Sequence, residues 1–196
     1  MNLPYAESAE QNKAVIYNAI RAYLKGEALE IGSGTGQHAV FFASQSPEIY
    51  WQASDLAGNL PGIAARIEAS GLDNLAPPIE LDVLGNWPNQ AYDLIYTANS
   101  FHIMDAGMVK ACIDGIGLSL KAGGVFAVYG PFNYAGGYTS ESNARFDQML
   151  RTRDPGSGIR DFEWIAEIGA GAGLDLLEDV EMPANNRTLI WQKRTL

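Results

Sequence analysis

The chain has 196 residues, 47% of them apolar, which suffices for one domain with a full core and falls short of two. Its 13 basic and 23 acidic side chains leave a net charge of −10, a field that repels nucleic acid and anionic membrane surfaces, so neither is expected as a partner. A single cysteine, Cys112, excludes an internal disulfide, and with only two histidines beside it no metal site is expected. No apolar run approaches membrane-spanning length, and Met-Asn-Leu-Pro-Tyr-Ala-Glu at the start has neither a basic nor an apolar signal segment; a cytoplasmic protein is expected.

In chain order, the apolar pairs Val15/Ile16, Ala19/Ile20 and Tyr23/Leu24 predict a helix over residues 8–24, with Ser8 and Gln11 spaced as a capping box. That helix precedes the first strand, Ala28 to Ile31, and is placed to lie over its carboxyl end. The stretch Ala-Leu-Glu-Ile-Gly-Ser-Gly-Thr-Gly (28–36), followed by an amphipathic segment from Gln37 to Gln45, predicts a buried strand turning sharply into a helix. Gly32, Gly34 and Gly36 allow positive φ and a close approach by a ligand beside Ser33, and the helix start offers unpaired N–H groups. The dinucleotide fingerprint needs its third glycine at the sixth position, but that position is Gln37 and the third glycine comes one residue early. Glu30, two residues before the first glycine, would repel a phosphate and attract a cation or amine. An acid-x-Gly-x-Gly-x-Gly turn resembles the first motif of class I methyltransferases, whose ligand S-adenosylmethionine carries an ammonium and a sulfonium and no phosphate.

The second strand is expected over Ile49 to Ser54, ending at Asp55. Asp55 lies 19 residues beyond Gly36, near the ~20 expected for an acid that holds a ribose diol, and Leu56 adjoins it. Asn59 is expected to cap a helix reaching about Ser70, with Pro61 tolerated in its first turn. A short third strand, Ile79 to Leu81, delivers Asp82 and Val83, an acceptor and an apolar wall suited to adenine; Asp82 as a simple turn cap is the competing role. The fourth strand, Tyr92 to Ala98, leads into Asn99, Ser100, Phe101 and His102. Four strand ends bearing polar groups point to one crevice, since open α/β sheets bind ligands outside the carboxyl ends of their strands. His102 is the candidate general base, against a structural, hydrogen-bonded role. His38 is expected to pack or to line the ligand.

A helix from about Asp105 to Leu120 precedes a fifth strand, Val125 to Tyr129. Strand and helix alternate up to this point, which predicts a parallel sheet. The alternation breaks over 132–160, read as a flap inserted over the crevice, with Arg145, Arg151, Arg153 and Arg160 set against Glu141, Asp147 and Asp154. Asn133, Tyr134, Arg153 and Arg160, with Asn143, Arg145, Asn185 and Asn186, form a polar set that suggests a small acceptor carrying a carboxylate or phosphate. Surface arginines beside aspartates also pair with no ligand involved. Asp161 is expected to cap a helix reaching about Ala170, after which a glycine stop over 169–173 and the strands 175–181 and 188–193 complete a C-terminal antiparallel hairpin. The expected fold is therefore Rossmann-like: a mostly parallel seven-stranded sheet with helices on both faces, as one domain over 1–196.

Ser8-Ala-Glu-Gln-Asn-Lys13, Gly32-Ser-Gly-Thr-Gly-Gln-His38, Gly130-Pro-Phe-Asn133, Ser140-Glu-Ser-Asn-Ala-Arg-Phe-Asp147, Arg153-Asp-Pro155, Gly158-Ile-Arg-Asp161 and Met182-Pro-Ala-Asn-Asn186 together resemble the methyltransferase-like protein 26 family, also called domain of unknown function 938. The resemblance spans essentially the whole chain and implies a class I methyltransferase fold without fixing a substrate. The function expected is methyl transfer from S-adenosylmethionine to an unidentified small molecule, with a cofactor-binding sensor or scaffold that does not turn over as the alternative. The sequence leaves the oligomeric state open.

Overall fold

The protein is described by a computed structural model over residues 3–195. Its strands are β1 (Gly26–Ile31), β2 (Ile49–Asp55), β3 (Ile79–Glu80), β4 (Tyr92–Ala98), β5 (Leu120–Gly130), β6 (Phe132–Asn133), β7 (Arg160–Asp161), β8 (Leu174–Met182) and β9 (Asn186–Lys193). The helices are α1 (Glu7–Ile20), α2 (Gln37–Gln45), α3 (Leu60–Ser70), α4 (Ala106–Ser119), α5 (Glu141–Arg153) and α6 (Phe162–Gly171). Seven strands form one sheet in the order β3-β2-β1-β4-β5-β9-β8. β1 to β5 run parallel, and β9 pairs antiparallel with both β5 and β8. This is the Rossmann-like sheet with a C-terminal antiparallel hairpin that the sequence predicts.

The central strands are covered on both faces, which is why they read as nearly continuous apolar runs. On one side Ile16, Ile20, Phe42, Ile63 and Ile67 of α1, α2 and α3 pack against Ala28, Trp51, Leu94 and Tyr96. On the other, Val109, Ile113, Ile116 and Ile165 of α4 and α6 meet Leu29, Ile95, Phe126 and Trp191. Leu94, Ile95 and Tyr96 thus alternate between two cores along one strand. Strand order reverses between β1 and β4, and a crevice opens there, outside the carboxyl ends of the strands.

Residues 132–160 leave the main sheet and return beside it. β6 and β7 form a separate two-stranded parallel ladder, Phe132 opposite Arg160 and Asn133 opposite Asp161. Between them runs α5, capped by Ser140, whose hydroxyl accepts the Asn143 N–H at 3.1 Å.

Three expected caps are absent, one of them at Asp161, which stands at the N-cap of α6 without a side-chain cap bond. α1 starts at Glu7, one residue before Ser8, and its N-cap Ala6 has no side-chain cap; Gln11 donates to Glu7 at 2.9 Å instead of closing a capping box. Its last expected turn, Arg21–Tyr23, is a 3-10 turn. Asn59 sits at the start of α3 without capping it, and its amide donates to Asp55 Oδ1 at 2.9 Å.

Candidate functional site

A cavity of about 440 Å³ lies at the strand reversal. Its floor is the turn between β1 and α2. Gly32 (φ +69°), Gly34 (φ +57°) and Gly36 (φ +74°) all adopt left-handed backbone, which glycine enters without a Cβ penalty. Gly32, Ser33 and Gly34 line the cavity, and a Cβ on Gly34 would meet nothing within 4 Å, so the loop presents bare backbone to whatever binds. Gly36 has a different task. It lies behind the loop, where a Cβ would come within 3.3 Å of Ile63 Cγ2, so it lets α2 pack on α3 and offers no surface to a ligand.

Asp55, at the end of β2, is buried and turned toward the loop. Its Oδ2 accepts the Gly34 N–H at 2.6 Å, and its Oδ1 accepts the Leu56 N–H at 2.7 Å and the Asn59 amide at 2.9 Å. Asp55 and Leu56 line the cavity, as do Asp82 and Val83 after β3 and Asn99 after β4. Asp82 is exposed, its Oδ1 accepting the Leu84 N–H at 3.0 Å. Asn99 is held with φ at 56°, in the left-handed region, while its N–H donates to the Tyr129 carbonyl at 2.8 Å. Six of the predicted strand-end and loop residues, with Ser33 and Leu56, therefore converge on one space.

The remainder of the wall escaped sequence reasoning. Ala6, Ser8 and Ala9 at the start of α1 close one side, and Ile103, Met104 and Met108 supply an apolar face. α1 is held there by side chains with no motif of their own. Gln37 Oε1 accepts the Ala6 N–H at 2.7 Å and the Thr35 hydroxyl at 2.9 Å, and its amide donates to Glu10 at 3.1 Å. Arg66 on α3 donates to the Thr35 carbonyl at 2.7 Å and also to the Pro4 carbonyl. The residue that departs from the dinucleotide fingerprint, Gln37, is thus the one that fastens α1 over the glycine loop. A polar side chain in place of a glycine was the only signal available.

His38 also lines the cavity. Its Nε2 lies 2.7 Å from Asn12 Oδ1, its Nδ1 3.4 Å from the Tyr96 hydroxyl, and its ring stacks on Phe42. With Asn12 oxygen as acceptor, Nε2 carries the proton and Nδ1 faces the tyrosine hydroxyl. Burial pushes its pKa down to about 4, so the imidazole is neutral at physiological pH.

Several predicted site residues stand elsewhere. Glu30 does not line the cavity. It is 2% exposed beneath the glycine loop, where Oε2 accepts the Ser33 hydroxyl at 2.8 Å and the Trp51 indole N–H at 3.2 Å. Burial raises its pKa to about 7 despite those two donors, and nearby Asp55 pushes the same way. Its role is to hold the loop from below. His102, the expected base, is also outside the cavity: it is buried edge-on against Phe146 of α5, with ring centroids 5.2 Å apart. Burial, then Arg160, lowers its pKa to about 4. Arg160 lies behind the site, donating to the carbonyls of Phe101, Met104 and Gly156. Arg153 is exposed at the end of α5. The Tyr134 hydroxyl donates to Asp179 at 2.8 Å under the Arg187 guanidinium, and Asn133 is buried on β6 with its Oδ1 unpartnered.

Among the residues lining the cavity there are two carboxylates, one neutral imidazole and no lysine or arginine. A pyrophosphate would find no countercharge there, whereas a cationic ligand would find two. Residues 3–193 match the model of a family described as a protein of unknown function, DUF938. The chain belongs to that family. The DUF938 fold is shared with solved methyltransferases at low identity. An O-methyltransferase family protein from Burkholderia thailandensis superposes with a TM-score of 0.85 at 18% identity, over 96% of this chain and 57% of that one. Human N-acetylserotonin methyltransferase in complex with SAM gives 0.81 at 18%, over 96% and 53%. A structure titled PigF with SAH gives 0.80 at 18%, over 95% and 56%. This DUF938 chain thus spans little more than half the length of the structures it matches, and at these identities the likeness is one of fold. No helix among the described residues is long and apolar enough to cross a membrane.

Proposed function

We propose that this DUF938 protein, whose sequence resembles the methyltransferase-like protein 26 family, binds S-adenosylmethionine in the cavity and transfers its methyl group to a small-molecule acceptor. The observation that carries the reading is the electrostatics of the lining: Asp55 and Asp82 without a lysine or arginine, over a loop of bare backbone. Gly32 to Gly34 and Ser33 would lie along the amino-acid portion, Asp55 would accept from the ribose hydroxyls, and Asp82 with Val83 would meet the adenine. When bound, the cofactor would supply a methyl group activated by its sulfonium, the acceptor–carbon bond forming as the sulfur–carbon bond breaks, with S-adenosylhomocysteine as the neutral thioether released and any proton on the acceptor passing to solvent. The chain's own contribution is to align the acceptor and exclude water, with Met104, Met108 and Ile103 forming the dry wall. The net charge of −10 favours a small acceptor over a nucleic acid. The match to structures containing SAM or SAH supports the same cofactor.

One observation favours the second reading, binding without turnover. No unengaged base faces the cavity, because His38 is held by Asn12 and Tyr96 and His102 points into the packing beneath α5. The deciding experiment compares S-adenosylmethionine with NAD in thermal unfolding. A ligand at a hundredfold excess over Kd adds ~2.7 kcal/mol, or about 5 to 11 °C for a chain of this size. Stabilisation by the adenosyl compound and none by NAD is expected, and the reverse order sinks the proposal. Formation of S-adenosylhomocysteine with a pool of acceptors then separates turnover from binding.

A further inference from the structure

A second recess of about 330 Å³ adjoins the first, and Asn99 lines both. Its other walls come from the start of α5 (Ser142, Asn143, Phe146) and from the turn between β8 and β9 (Ala184, Asn185, Asn186). We propose that this recess is the acceptor subsite and that it takes an uncharged molecule with hydrogen-bonding groups and a flat apolar part, in place of the anion that the arginines of the flap suggest. The proposal rests on the methyltransferase reading for its role, and on the recess itself for its selectivity.

Three observations support it. The lining contains four asparagines, a serine and a phenylalanine and no charged residue, so a carboxylate placed there would lose its hydration with no cation in return. None of the flap's arginines lines the recess: Arg160 is spent on three backbone carbonyls, Arg153 is exposed at the far end of α5, and Arg145, near its start, is exposed beside Glu141 at 3.6 Å. Second, the walls are latched together. The Asn143 amide donates to the Asn185 carbonyl at 3.0 Å, and the Asn185 amide donates to the Ser142 hydroxyl at 3.2 Å. Third, backbone strain concentrates at this spot. Among the described residues four non-glycines have positive φ, and three of them, Asn99, Ala184 and Asn185, line the recess. Such conformations persist where the surroundings enforce them, and they cluster at ligand sites. Phe146, half-buried, offers the flat apolar surface.

The test uses the isosteric pair benzamide and benzoate, titrated into isotope-labelled protein loaded with S-adenosylhomocysteine. Benzamide is expected to shift the side-chain amide signals of Asn143 and Asn185, with benzoate weaker by about tenfold or more. Ser142 is exposed, and its hydroxyl accepts the Asn185 amide, so Ser142→Ala measures the loss of that contact alone and should keep the order of the two probes, whereas Ser142→Arg adds a cation to the rim and should reverse it. Benzoate binding the unaltered protein as well as benzamide, an order unchanged by Ser142→Arg, or no shift with either probe would each overturn the proposal. Melting temperatures with and without S-adenosylhomocysteine, taken on the same samples, report the cofactor reading separately: failure there condemns the methyltransferase assignment, whereas the preference between probes is judged on the recess alone.

Discussion

The glycine-loop crevice and the flap over 132–160 both use acidic side chains to hold irregular backbone, and they differ in what is left facing a cavity. In the crevice, Asp55 accepts from the Gly34 and Leu56 N–H groups and the Asn59 amide, and Asp82 from the Leu84 N–H, yet both still line the cavity. In the flap the backbone lacks a long ladder, and charged side chains stand in for it. Asp147, 1% exposed, accepts from the Ile159 N–H at 2.6 Å, the Tyr138 hydroxyl at 2.7 Å and Arg151 Nε at 2.7 Å. Arg160 does the converse job for three carbonyls. A charge at the end of a regular strand thus braces the adjoining loop and still faces the cavity, whereas Asp147 and Arg160 in the insertion brace the fold without facing it.

The sharpest way to break this contrast is Asp147→Ala. It strands a buried N–H, a hydroxyl and a guanidinium, and a loss of about 3 kcal/mol is expected from denaturant unfolding. Stabilisation by S-adenosylmethionine should survive in the fraction that folds. Undiminished stability would mean that the flap's charges do not hold it together.

A comparable effect, tied to pH, is expected beneath the crevice. The folded pKa of Glu30, about 7, lies above its ordinary 4.5, so the folded state binds the proton more tightly than the unfolded one. Glu30 therefore costs stability progressively as pH rises from 4.5 to 7, by up to ~3 kcal/mol. His38 and His102, with pKa values lowered to about 4, act in the other direction, their contribution being lost as pH falls from the usual histidine value toward 4. Subtracting wild type from Glu30→Gln isolates the carboxyl. That difference should favour the variant increasingly up to pH 7 and then level off; a flat difference contradicts the burial of an ionisable group there.

The smallest effect is expected at Arg153. Exposed and without an ion pair among the described residues, it should tolerate Arg153→Ala within about 0.5 kcal/mol, with cofactor-induced stabilisation unchanged. A large loss of ligand response would return the flap arginines to the site and erase the contrast.

The legibility of the chain follows the same division. β4 and α2 were readable to the residue, because an apolar run buried on both faces and an amphipathic stretch behind a glycine turn are local patterns. The cavity residues Gly32, Gly34, Asp55, Asp82, Val83 and Asn99 were readable too, since each follows a strand at its carboxyl end. The caps assigned to Ser8 and Asn59 were misread: the same side chains that cap a helix can bond elsewhere once tertiary neighbours compete, as Asp55 does for Asn59. The placement of α1 over the strand end was anticipated, but Arg66 and the bonds by which Gln37 fastens α1 had no local signature beyond the missing glycine at 37.

By itself the sequence determined the sheet order class, the glycine turn and the strand-end acids, because those depend on periodicity and on chain direction. Only the tertiary structure decided that Glu30 and His102 are buried away from the cavity, that Gly36 serves packing, and that Arg160 serves backbone carbonyls. A residue's type fixes which hydrogen bonds and charges it can offer, but its availability to a ligand depends on which distant groups have already taken them, and that is settled only when the chain is folded.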